Sequence, residues 1–179
     1  MTRIFCVLAS ATALALLSTF GLGLMQLGQP PPVRLSVSLS SHIISGLVTG
    51  IAVLLVHCLV FTYFLGTGRW IREVAEAYAL AEEESLRPAR QLKRQAYPSL
   101  MLAMLVTIAA IGSGAATHTD PASFIGLTHP IFAVLTLLAN GWAFYRQWHA
   151  IRQNQVLLER IFAAVRARQA NAQVVTHAS

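Results

Sequence analysis

The chain has 179 residues, 55% of them apolar and only 11% charged, with a formal net charge of +6 and a pI near 10.2. Charged residues make up roughly a quarter of a soluble domain, so this composition excludes an ordinary water-soluble fold and points to a single membrane domain, residues 1–179. The basic balance does not call for nucleic acid, because no run of cations interleaved with stacking aromatics occurs; beside a bilayer such residues meet anionic headgroups.

Four apolar segments follow in chain order, at about residues 4–27, 44–64, 98–116 and 131–145. About 20 residues rising 1.5 Å each cross roughly 30 Å of hydrocarbon, so each segment predicts a transmembrane helix. The first follows Met1, Thr2 and Arg3 as a signal peptide would. It outlasts the usual apolar stretch of roughly 7–15 residues and no A-x-A site follows, so a retained helix is expected. Cations then orient the set. Arg3, six basic residues between the second and third segments and five after the fourth share one side; only Arg34 lies on the other, and 117–129 has none. Positive charge resists translocation, so both termini and the 65–97 loop are expected in the cytoplasm, with a bacterial inner membrane as the compartment. Cys6 and Cys58 fall toward that inner side and make neither a disulfide framework nor a metal-ligand spacing.

The connections carry their own signals. Residues 29–41 read as a loop, since the run Pro30, Pro31, Pro32 cannot continue a helix, and the alternation over 33–39 is too short for a lone strand. The 117–129 loop ends at Pro130, which suits the first turn of the next helix. Gly66-Thr67-Gly68 reads as a turn where the chain leaves the membrane. After it, residues 69–85 predict a helix with Trp70, Val74, Ala77 and Ala81 on one face and Arg72 paired with Glu76. Pro88 starts a further helix, which Pro98 kinks on entering the membrane.

Beyond the fourth segment, Ile151, Asn154, Leu158, Ile161 and Val165 recur at three- and four-residue steps. The fourth helix should therefore run on to about residue 168 as a stalk, its seam covered by residues 69–92 or by another subunit. Cytoplasmic helical parts are thus expected over 69–97 and 146–169, with a polar tail over 170–179. The predicted fold is all-α: a polytopic membrane four-helix bundle with a helical cytoplasmic extension. Phe61, Tyr63, Phe64, Trp70, Tyr97, Phe144, Tyr145 and Trp148 crowd the inner boundary, where amphipathic rings form an interface belt.

Chemistry is concentrated in histidines. His42, Gly46, Thr49, Val53 and His57 lie within about 80° of one another on a helix, forming a small or polar stripe that lipid would turn inward. Gly46 and Gly50 form a GxxxG suited to close helix packing. His42 and His57 are 15 residues apart, roughly 22 Å along a helix and close to the separation of two stacked b-type haems. Two haems need matching ligands on a facing helix, and the third segment has no histidine. At the level of His57 the available groups are Met101, Met104 and Tyr145. Asn140 must also find a partner.

On the outer side, His42, His118, Asp120 and His129 come from three span ends. Together they suit Zn or Cu, while His42 with His129 alone suits one haem b. No ionisable relay crosses the apolar segments, and no nucleotide loop or nucleophile–base pattern occurs. The leading expectation is a non-catalytic accessory or assembly subunit meeting the bilayer and either partner subunits or copies of itself. A haem- or metal-binding redox protein using His42, His129, His57, His118 and Asp120 is the alternative, and an oligomeric channel the third.

Overall fold

A computed structural model of the protein describes residues 1–27, 37–120 and 123–178. They are helical almost throughout, and no strand occurs among them. Four long helices, α1 (Thr2–Leu27), α2 (Val37–Ala77), α3 (Leu86–Thr119) and α5 (His129–Ala178), are joined by α4 (Phe124–Leu127) between the last two. The chain is long and apolar enough to cross a membrane over Thr2–Gln26, Ser40–Ala77 and Leu86–Thr119. Large apolar side chains on these helices point outward, among them Val7, Leu14, Ile44, Leu55 and Leu105. Apolar surface on that scale is stable against lipid and unfavourable in water.

α1 packs against α2 and α5, and α3 against α2 and, most extensively, α5. The apolar core lies toward the Met1 end of α1, where Phe5, Val56, Val60, Phe64, Ile71, Leu92 and Ile151 close together. Phe64 and Phe144 are buried there, so these two rings belong to the core and not to the boundary belt. Further from Met1 the interior turns polar, through Thr12, Thr49, Thr107, Ser113 and Thr136.

α5 shows why the helices seat as they do. Asn140, Gln147, Asn154 and Ile161 repeat every seven residues, as do Thr136, Ala143, Ala150 and Leu157, and all eight are buried. A heptad repeat keeps one seam against a neighbour, and polar residues on it fix the register at some cost in stability. The seam beyond Arg146 is covered by the chain itself: Ile151 and Ile161 are buried, and Asn154 donates to the Tyr63 hydroxyl at 2.9 Å.

Several expectations are corrected. Gly66-Thr67-Gly68 is no turn, for α2 runs through it and no described glycine has positive φ. Gly68 instead provides the space against which the Lys93 side chain of α3 lies. The turn comes after Ala77, well before Ser85, with Ala79 at φ 48°. The ion pair on α2 joins Arg69 to Glu73 at 2.9 Å, in place of Arg72 with Glu76. α3 begins before Pro88, at Leu86, and continues through Pro98 as one helix. α5 extends to Ala178, past the expected start of a polar tail. Of the loop read over 29–41, residues 29–36 lie outside the described residues, and the chain is helical from Val37.

Candidate functional site: two layers of histidine

The inward stripe read from α2 is inward in fact. Val53 and His57 are fully buried, Thr49 nearly so, and His42 is half-buried at its far end. Gly50 lies close under Ile111 of α3, and Gly46 faces Thr19 of α1, so the GxxxG serves helix packing. The stripe ends in two histidine layers with different surroundings.

The His57 layer is closed. Its Nε2–H donates to Asn140 Oδ1 at 2.9 Å, and its Nδ1 accepts from Gln147 Nε2 at 2.8 Å. Asn140 donates in turn to Thr107 Oγ1 at 3.1 Å and to the Thr136 carbonyl at 2.9 Å. Phe144 stacks on the imidazole with ring centres 5.4 Å apart. Both ring nitrogens are thus occupied by amides, and neither Met101 nor Tyr145, which face outward, takes part. Asn140 finds its expected partner in His57. Gln147 is the residue that sequence reasoning missed, although its seven-residue step from Asn140 is visible in the chain. Its Oε1 is buried with no hydrogen-bond partner among the described residues.

The second layer is open. His42 of α2 and His129 of α5 approach with ring centres 6.3 Å apart and planes at 67°. His42 Nδ1 lies 3.1 Å from the Thr19 carbonyl of α1, and His129 Nδ1 lies 3.1 Å from the Ala110 carbonyl of α3. A carbonyl can only accept, so each Nδ1 carries the proton and each Nε2 keeps a lone pair. No hydrogen bond to either Nε2 occurs among the described residues. Ser113 Oγ stands 3.4 Å from His129 Nδ1 and adds little at that length. Around this layer, Thr19 Oγ1 shares hydrogen bonds with Ser45 at 2.6 Å and Thr49 at 3.1 Å, tying α1 to α2.

The remaining expected ligands come from the end of α3. His118 lies in the last turn of α3 and is near enough to act electrostatically on His129, while Asp120 follows as the C-cap residue. Among the described residues no three His, Cys, Asp or Glu side chains gather as a metal site. Two of the four outer-side candidates are therefore brought together. No family model, curated protein or solved structure matches this chain.

Proposed function

We propose that this is a four-span inner-membrane protein, with both termini in the cytoplasm, that holds a transition-metal centre between His42 and His129 near the outer face. The observation that carries the reading is the paired imidazoles, each tied through Nδ1 to a backbone carbonyl, with no hydrogen bond to Nε2 among the described residues. Histidine ligands are held this way: the second nitrogen donates to a carbonyl, which fixes the tautomer and aims the ligating nitrogen. A bound transition metal would supply one-electron chemistry at that face of the bilayer.

The fourth span in this reading is the first part of α5. Its outward side carries Ile131, Val134, Leu138 and Trp142, all exposed, while Thr136 and Asn140 turn inward. Hydropathy averages both faces, so a helix with a polar interior face scores low even when its outer face suits lipid. Twelve cations on one side of four such helices support the orientation and a four-helix bundle with a helical cytoplasmic extension.

Metal analysis of gently purified full-length protein tests the function. About one metal per chain is expected, absent in His42→Ala and His129→Ala and retained in His118→Ala. Metal-free wild-type protein that takes up none on reconstitution rejects the reading. The accessory-subunit reading keeps one supporting observation, the exposed Val156 and Phe162 on α5 beyond Arg146, and stoichiometric co-purification of a partner would favour it. The self-covered seam of α5 is no longer a free docking face for it.

A further inference from the structure

Resting on the metal-site reading above, we propose that the centre is a haem, its iron bound axially by His42 and His129. A bare ion needs three or four protein donors, since zinc and copper sites are completed by side chains. Here two imidazoles converge, and no third described His, Cys, Asp or Glu joins them. A haem brings four equatorial nitrogens of its own and asks the protein for only two.

The separation agrees. A metal–nitrogen bond of about 2 Å, plus roughly 1.1 Å from ring nitrogen to ring centre, places two trans imidazole centres about 6 Å apart. The centres of His42 and His129 are 6.3 Å apart.

The two ligands are also presented by one device used twice. His42 reaches from α2 to the Thr19 carbonyl of α1, and its ring lies over Gly23, four residues further on. His129 reaches from α5 to the Ala110 carbonyl of α3, and its ring lies over Gly114, again four residues further on. A Cβ at either glycine would stand 2.9 Å from the histidine Cε1, closer than real contacts allow. Each imidazole is thus laid along one turn of the neighbouring helix, held by a carbonyl at one end and admitted by a glycine at the other. A histidine that served only packing would need one such anchor, as a satisfied polar group. Two separate helix pairs delivering matching imidazoles to one point is what a six-coordinate iron requires. Gly23 and Gly114 are then positioning residues for the ligands.

The test is titration of full-length, metal-free protein in detergent with iron protoporphyrin IX, followed by absorbance. Saturation at one haem per chain is expected, with a sharp Soret band and a low-spin, six-coordinate spectrum in both oxidation states. His42→Ala and His129→Ala should each lose the low-spin signature and about tenfold or more in affinity, the scale at which disturbance of metal ligation is felt, while His118→Ala keeps both. His129→Met should keep six-coordination with an altered spectrum and a raised reduction potential, because Met replaces a stronger donor; circular dichroism and native size confirm that each variant is folded. Copper or zinc bound at these histidines, with no histidine-dependent Soret band, would overturn the haem and leave the metal-site reading standing. Folded protein that takes neither haem nor metal would overturn both, as would a Soret band that survives loss of both histidines in protein that binds no other metal there.

Discussion

His57 and His42 lie on the same inward stripe of α2, and each meets side chains of α5, yet the layer around His57 is closed and the layer of His42 with His129 is open. At His57 every ring nitrogen meets an amide from α5, and an aromatic ring covers the face. At His42 and His129 the partners are backbone carbonyls of α1 and α3, which engage one nitrogen, and among the described residues nothing bonds to the other. The difference teaches what kind of partner decides a histidine's role. An amide side chain can donate or accept and so satisfies either ring nitrogen; a carbonyl accepts only, so it orders one nitrogen and exposes the chemistry of its twin.

The contrast can be broken by substitution, and the largest effect is expected at the closed layer. His57→Ala leaves a cavity and strands two buried amides, costing about 2–5 kcal/mol by the usual scale for large-to-small changes and lost hydrogen bonds. Thermal unfolding in detergent, followed by circular dichroism, measures it; an unchanged transition would mean that the layer is not closed as described. Next comes the open layer, where His42→Ala and His129→Ala should remove bound metal while shifting stability by about 1 kcal/mol or less, the worth of one carbonyl hydrogen bond. A collapse as severe as that of His57→Ala would assign the pair to structure instead.

Asn140→Leu sharpens the comparison from the α5 side. It removes the acceptor for His57 Nε2–H and the donor to Thr107, and should cost about 1 kcal/mol, near the values found for hydrogen bonds between membrane helices. Metal content should be unaffected. The smallest effect is expected at Gly114→Ala, where the new methyl pushes the His129 ring and weakens metal binding a few-fold with little loss of stability. Equal affinity in this variant would show that the ring can shift without consequence.

Much of the architecture is legible in the chain because lipid imposes simple demands. The apolar segments over 4–27, 44–64 and 98–116 lie within α1, α2 and α3, and the stripe from His42 to His57 faces inward, since an imidazole finds no partner among lipid tails. What lay hidden depended on neighbours in space. Gly68 reads as a turn residue by itself and as a seat for Lys93 only once α3 is alongside. Gln147 lies just past the apolar run, among charged and aromatic residues, so composition assigns it to the boundary while the heptad step from Asn140 places it inside. Of the four outer-side candidates, the sequence singled out His42 with His129 as a pair but could not show that they approach each other. The approach of His42 and His129 is set by the packing of α1 against α2 and of α3 against α5, which no spacing within one helix encodes.

The unbroken course of α5 from His129 to Ala178 has a mechanical consequence. Fifty residues of α-helix make a rod of about 75 Å, with the candidate ligand on its first turn. Arg168 near its other end grips the carbonyls of Tyr78 and Ala79 in the hairpin that follows α2. The candidate ligand His129 and the Arg168 contact with the hairpin beyond Ala77 therefore belong to one continuous helix, with no loop between them.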